Sequence, residues 1–114
     1  MKNILLIILL VLFYGCSKEE TVRVGYTVLC DCKAKGFDVT YIDEKGNIVQ
    51  ETIDKDEWRK EFTSIDGEYV YVLSQANSTD ATIATRVYYN GSIIDAETSY
   101  GDYAVAIASS KLEK

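Results

Sequence analysis

From residue 22 onward the sequence is a series of short segments in which apolar and polar residues alternate. In the first and longest segment, Val22 to Ala34, the even positions are apolar, while Thr27 and Asp31 stand at odd positions. A period of two places every second side chain on one face of a β-strand, so this segment is predicted to be a strand with one buried face. The chain has no proline, so its turns must be built from Gly, Asn, Asp and Ser. This pattern limits the domain to an all-β fold.

Six further strands are predicted between the turn signals. They cover residues 37–41, 48–53, 69–73, 81–89, 92–98 and 103–108. The Asn90-Gly91 pair is the strongest hairpin signal, because both residues tolerate positive φ. The stretch from Asp54 to Phe62 is predicted to be a loop leading into a short strand, because Trp58 and Phe62 are not part of a longer apolar stripe.

About seven short strands without long helices predict a single antiparallel two-sheet sandwich over residues 22–109. Ala104, Ala106 and Ala108 form a small-residue face suited to close packing. Trp58 is expected to pack in the core near Phe62. Residues 110–114 are predicted to be a polar tail.

The first sixteen residues have a different pattern. A basic Lys2 is followed by an apolar run from Ile4 to Tyr14, a small Gly15 and then Cys16. As a helix this run would be about 16 Å long, well short of the roughly 30 Å hydrocarbon core of a membrane. The pattern predicts a signal peptide over residues 1–15, forming a signal helix, followed by a tether over residues 16–21.

Phe13-Tyr14-Gly15-Cys16 resembles the lipobox of bacterial lipoproteins. Lys18, Glu19 and Glu20 resemble the signal that exports Bacteroidetes lipoproteins to the cell surface. The resemblance implies a diacylglyceryl thioether on Cys16 and an acylated amine, with chains such as palmitate. At about 0.8 kcal/mol per buried CH₂, such an anchor on the outer membrane is stable. The alternatives are an uncleaved signal anchor and an ordinary signal peptide with an incidental cysteine, and both also place the domain outside the cytoplasm.

Composition excludes several classes of function. Removing the first 15 of 114 residues leaves 99, enough for one domain. The net charge of −6 becomes −7 without Lys2, which opposes binding to nucleic acid. The chain has no histidine, so catalytic triads and imidazole metal sites cannot form. Asp54, Asp56 and Glu57 lack the glycine of an EF-hand loop. We therefore expect no enzyme activity, no cofactor and no metal site.

Cys30 and Cys32 are the two thiols that lipidation would leave in an oxidising compartment. Two residues apart on an extended strand, their Cα atoms would be about 6.5 to 7 Å apart, near or beyond the limit for an unstrained disulfide. They could form a redox-active pair or an intermolecular bridge. The favoured interpretation is two separate buried cysteines that pack like small hydrophobic residues.

The chain contains nine tyrosines. Tyr69, Tyr71, Tyr88 and Tyr100 could form an aromatic platform for sugar rings or for a partner protein. The competing interpretation, which carries more weight, is that they are aromatic residues favoured in strands for packing.

Several motifs occur in an order similar to that of small Bacteroidetes lipoproteins related to the MmpS family. They are Trp58, Phe62, Gly67, Val70-Tyr71, Gln75-Ala76-Asn77, Tyr89-Asn90-Gly91, Tyr103 and Val105-Ala106. The resemblance implies an immunoglobulin-like sandwich and a role as accessory periplasmic subunit of an MmpL or RND-type envelope exporter. MmpS proteins are similar to single-span anchored proteins, whereas this chain has a lipobox. The main expectation is therefore a lipid-anchored, non-enzymatic module that binds an envelope protein or glycan, with the accessory subunit as the alternative.

Replacing Cys16 with Ala tests the anchor. We expect the wild-type chain, expressed in a Bacteroidetes host, to carry acyl chains in its intact mass and to be cleaved by protease added to whole cells. The Cys16→Ala variant should lose the acylated mass and leave the membrane fraction. A wild-type chain without acyl chains would contradict the lipoprotein assignment.

Overall fold

A computed structural model gives the fold of residues 21–113, which contain eight β-strands. In chain order they are β1 (Thr21–Asp31), β2 (Phe37–Ile42), β3 (Ile48–Ile53), β4 (Glu57–Ile65), β5 (Tyr69–Ala76), β6 (Ala81–Tyr89), β7 (Ser92–Gly101) and β8 (Val105–Lys111). Within this range there is no helix long and apolar enough to cross a membrane.

The strands form two four-stranded sheets, and every neighbouring pair is antiparallel. Sheet A has the order β4-β1-β6-β7, and sheet B has the order β3-β2-β5-β8. The predicted sandwich of two antiparallel sheets, the architecture of immunoglobulin-like domains, is confirmed with eight strands instead of seven. The predicted hairpin at Asn90-Gly91 is also confirmed: Tyr89 pairs with Ser92, and both turn residues have positive φ.

The additional strand is β4, in a region predicted to be mostly loop. Its even positions, Trp58, Lys60 and Phe62, are half-buried, while Arg59 and Glu61 are exposed. Because the inward residue Lys60 is charged, the sequence of β4 does not show the alternation of apolar and polar residues from which a strand is predicted. Lys60 can occupy an inward position because its Nζ lies over the Tyr41 ring, 5.6 Å from the centroid. Trp58 and Phe62 pack against the core from this edge strand, in agreement with the expected packing role.

The sandwich also extends beyond residue 109, where the predicted domain ended. β8 continues to Lys111, and Leu112 is fully buried. The Leu112 N–H donates to the Glu68 carbonyl at 2.8 Å, and the Leu112 carbonyl accepts from the Gly67 N–H at 2.6 Å. Residues 110–112 are therefore part of the folded domain and not of a tail.

The core lies between the sheets and is built from the inward positions of β1, β2, β5, β6 and β8. Ala104, Ala106 and Ala108 are all buried, so the predicted small-residue face is confirmed. Ser74 of sheet B and Thr85 of sheet A are also buried, and their hydroxyl groups hydrogen bond to each other across the interior. Pairing satisfies both hydroxyls, which avoids the cost of burying them without partners.

Tyr26 connects the two sheets. Its fully buried ring lies on β1, and its hydroxyl donates to the Ile42 carbonyl of sheet B at 2.7 Å. The same oxygen accepts from the Tyr71 N–H at 3.4 Å. Burial raises the pKa of Tyr26 to about 12, because removal from water disfavours the phenolate. The hydroxyl therefore keeps its proton, and this hydrogen bond, at pH values where an ordinary tyrosine begins to ionise.

The side of the sandwich formed by β7 and β8 is closed by carboxylates. Glu97 Oε1 accepts from the Ile107 N–H at 3.0 Å, and Asp95 Oδ2 accepts from the Ser109 N–H at 2.8 Å. Both acids lie on the edge strand of sheet A, and both N–H groups lie on the edge strand of sheet B. These bonds occupy backbone donors that could otherwise pair with another chain.

Candidate functional site

The candidate site lies on the outer face of sheet A, over the interior strand β1. The even residues of β1 are buried, so its odd residues point outward. Gly25 stands in the middle of this outward row, with Glu61 of β4 opposite on one side and Tyr88 of β6 on the other. Because Gly25 has no side chain, the sheet has a hollow of about 250 Å³ at this point, open to solvent.

Neither the backbone nor the available space requires glycine at position 25. Its φ is not positive, in contrast to five other glycines of the described chain. A Cβ added at Gly25 would lie 3.5 Å from Tyr88 Cβ and 3.9 Å from Glu61 Cγ, which are ordinary contact distances. Glycine inside a strand weakens it and often marks a place where a ligand approaches closely.

All three arginines of the chain, Arg23, Arg59 and Arg86, lie on this face. Arg59 and Arg86 are both opposite Thr27, on its two sides. Adjacent strands are about 4.8 Å apart, so the two arginine Cα atoms are about 10 Å apart and both side chains reach the space above Thr27. In an otherwise acidic protein, this arrangement concentrates positive charge on one face.

A second hollow of about 120 Å³ adjoins the first, and Thr27, Arg59 and Tyr88 line both. We call the two hollows together the β1 groove. It follows β1 from Arg23 to Leu29, about 20 Å at roughly 3.3 Å per residue. The charged side chains that line it are Arg23, Arg59, Arg86, Glu57 and Glu61, so its net charge is +1.

The arginines of the β1 groove differ in their partners. Arg23 Nη2 lies 3.0 Å from Glu61 Oε2 in an exposed ion pair. Arg59 and Arg86 form no ion pair with any residue from 21 to 113. Arg86 donates a hydrogen bond to Tyr88, but neither positive charge is compensated by a carboxylate, and the remaining N–H groups of the planar arginine fork suit carboxylate and other oxyanions.

Tyr88 provides both a ring and a polar group at the groove. Hydrogen bonds from the Arg86 side chain, and then from the Thr27 hydroxyl, lower the pKa of Tyr88, and the positive charge of Arg86 and Arg59 acts in the same direction. The phenol oxygen thus lies within a positive field on the sheet surface. The chemistry available here is binding through charge-assisted hydrogen bonds and contact with an aromatic ring.

The four tyrosines predicted as a platform are not on one surface. Tyr69 and Tyr71 point outward from β5 in sheet B, whereas Tyr88 and Tyr100 point outward from sheet A. Tyr100 pairs with Thr82, six residues along β6 from Tyr88, which separates them by about 20 Å. The prediction of a single four-tyrosine platform is therefore wrong. β5 belongs to sheet B, whereas β6 and β7 belong to sheet A, so the tyrosines lie on opposite outer faces of the sandwich. Only Tyr88 lies at the β1 groove.

Cys30 and Cys32 form an intrachain disulfide. The sequence analysis favoured separate thiols because it placed both cysteines within one extended strand. In the structure β1 ends at Asp31, so the backbone between the two cysteines is not fully extended and their Cα atoms are 5.3 Å apart, within the range of a disulfide. Both side chains are buried, as expected. Redox activity of the pair stays a prediction.

Some predicted residues lie outside the described chain or form no site within it. Cys16, Lys18, Glu19 and Glu20 precede residue 21 and are outside the described range. Among residues 21–113, no three His, Cys, Asp or Glu side chains converge into a group that could hold a metal ion.

Gly25, Arg59 and Arg86 are not among the site residues predicted from the sequence. The available signal was a glycine at an outward position of an otherwise regular alternating strand. The arginines could be related to it only through strand pairing, and Arg59 stood in a stretch predicted to be largely loop. Register between distant strands brings these side chains together, and alternation within one segment does not specify it.

Comparison with known proteins gives no family assignment. No family model matches the chain, and no curated protein matches it. Among solved structures, the chain is similar to an NMR structure of the calcium-bound form of a protein from Parabacteroides distasonis. The two are 14% identical over 71% of this chain and 81% of that chain, with a TM-score of 0.46.

Replacing Gly25 with Ala should stabilise the domain. Alanine loses less backbone entropy on folding, and its Cβ fits without a clash, so we expect the free energy of unfolding to rise by about 0.5 to 1 kcal/mol. Urea unfolding with an unchanged m-value would measure this. Gly36→Ala is the matched control, because its Cβ would collide with the Ile53 carbonyl at a positive φ and must destabilise. Destabilisation by Gly25→Ala would show that the fold itself requires the glycine.

Proposed function

We propose that this protein is a lipid-anchored, non-enzymatic binding module of the cell envelope, and that the β1 groove is its binding surface. The observation that carries the proposal is the open hollow at Gly25, beside two arginines that form no ion pair in the described chain. A glycine in the middle of a strand, next to arginines without ion-pair partners, contributes little to folding stability. Such an arrangement is better suited to binding a ligand.

The side chains of the β1 groove favour binding over catalysis. Arg59 and Arg86 supply positive charge and N–H donors but no acceptor, which suits them to binding an anion. The chain contains no histidine that could act as a general base near neutral pH. The groove is also open to solvent on the outer face of sheet A.

The proposed anchor would hold the groove near the membrane. β1 begins at Thr21, and Arg23 at one end of the groove follows two residues later. A lipid on Cys16 leaves five residue steps to Thr21, which span at most about 17 Å when extended. The near end of the groove would then lie within a few tens of ångströms of the outer membrane, so the protein would hold its ligand close to the cell surface.

The binding surface can be tested with full-length protein solubilised from membranes. Purified envelope fractions, one of polysaccharide and one of membrane proteins, are immobilised and binding is measured for three chains. We expect the wild type to bind one fraction and Arg59→Gln/Arg86→Gln to bind at least about tenfold more weakly, because each lost charge-assisted contact is worth about a factor of ten or more. Tyr69→Ser/Tyr71→Ser, on the outer face of sheet B, should bind like the wild type.

Loss of binding in the sheet B variant alone would contradict the assignment of the β1 groove. Co-purification of a multi-span exporter that does not depend on Arg59 and Arg86 would instead support the accessory-subunit alternative.

A further inference from the structure

We infer that the β1 groove binds an acidic polysaccharide, a chain of sugar rings that bear carboxylate or sulfate groups. This inference rests on the proposed function and specifies the ligand class of the same groove.

Charge gives the first constraint on the ligand. Arg59 and Arg86 lie on the two sides of Thr27, about 10 Å apart at their Cα atoms, and neither has an ion-pair partner within residues 21–113. Two guanidinium groups at this spacing can hold one oxyanion from both sides or two successive anionic groups. The net charge of −6 on the whole chain opposes an anionic ligand, so its attraction is confined to this face, where the side chains of the β1 groove carry a net charge of +1.

The floor of the groove gives the second constraint. At Gly25 the backbone itself forms the surface, and the Tyr88 ring lies beside it. The C–H face of a sugar ring can approach this floor, while the hydroxyl groups of Thr27 and Tyr88 are suited to hydrogen bonds with ligand hydroxyls. Glu57 and Glu61 add acceptors for further hydroxyl groups along the β4 side. Alternating charged, hydroxyl and aromatic groups fit a sugar acid better than a purely apolar or purely charged ligand.

The backbone gives the third constraint, because it disfavours an extended peptide. β1 lies between β4 and β6, and its ladder pairs run from Thr21 to Leu29 with β4 and from Val24 to Asp31 with β6. An added peptide strand needs an unpaired sheet edge for its main-chain hydrogen bonds, and the centre of sheet A does not provide one. Recognition must therefore use side chains. The length of about 20 Å, open over the flat face, favours a linear chain over one small molecule.

The test measures calorimetric binding of the full-length, detergent-solubilised protein to polygalacturonate, with heparin as the sulfated probe. Fully methyl-esterified polygalacturonate is the matched ligand control, since it keeps the rings and removes the charges. We expect binding to polygalacturonate or heparin, and at least about tenfold weaker binding to the ester. Whether the carboxylate or the sulfate probe binds more tightly identifies the anionic group. Binding should also weaken as ionic strength rises.

Variants of the protein test whether the polysaccharide binds at the β1 groove. Arg59→Gln and Arg86→Gln should each weaken binding about tenfold. Gly25→Ala should weaken it while leaving the domain at least as stable as the wild type, so that the loss cannot come from unfolding. Lys111→Gln removes one positive charge from the exposed end of β8 in sheet B and should have no effect.

Three results would overturn the inference: equal binding to the ester, binding unaffected by the arginine variants, or no binding to either acidic polymer. Tighter binding to poly-glutamate would assign the groove to an acidic protein. If neither polysaccharide binds, but the arginine variants bind the envelope fraction more weakly than the wild type does, the proposed function stands and only the ligand class fails. If these variants change neither assay, both proposals fail.

Discussion

The burial of one face of β1 is the constraint on which the rest of the structure depends. Val24, Tyr26 and Val28 are fully buried on this strand, and burial of each such side chain contributes about 1.5 to 3 kcal/mol. β1 is also an interior strand of sheet A, so β4 and β6 take their register from it. The hydroxyl of Tyr26 then fixes this sheet against Ile42 and Tyr71 of the other. A slip of one residue would expose all of these groups.

The same constraint determines the outer face. If Val24 and Tyr26 point inward, Gly25 between them must point outward. Pairing with β4 and β6 then places Glu61 and Tyr88 beside Gly25, and Arg59 and Arg86 beside Thr27. The groove is thus a direct result of strand register, built over an interior strand of sheet A. The floor of the groove is backbone paired on both sides, so a ligand loses little affinity to ordering it.

Local sequence patterns predicted the parts of the fold that depend on neighbouring residues. Alternation predicted β1, and the two positive-φ residues Asn90 and Gly91 predicted the β6–β7 hairpin. Prediction was poorer where a tertiary contact overrides the pattern. Lys60 interrupts the apolar face of β4 because it packs over Tyr41, and Leu112 ends a segment with too few apolar residues to predict its burial. The end of β1 at Asp31 likewise allows a disulfide between two cysteines that a fully extended strand would separate.

The candidate site was the least predictable part, because its members come from three strands and are neighbours only through register. Chemical-shift mapping of the isotope-labelled full-length protein during titration with galacturonate oligosaccharides tests its location most directly. We expect the largest amide shifts at Gly25, Thr27, Arg59 and Tyr88, with little change at Tyr71 on the other face. Shifts confined to the outer face of sheet B, or to the loops around residues 77–80 and 102–104, would contradict the account.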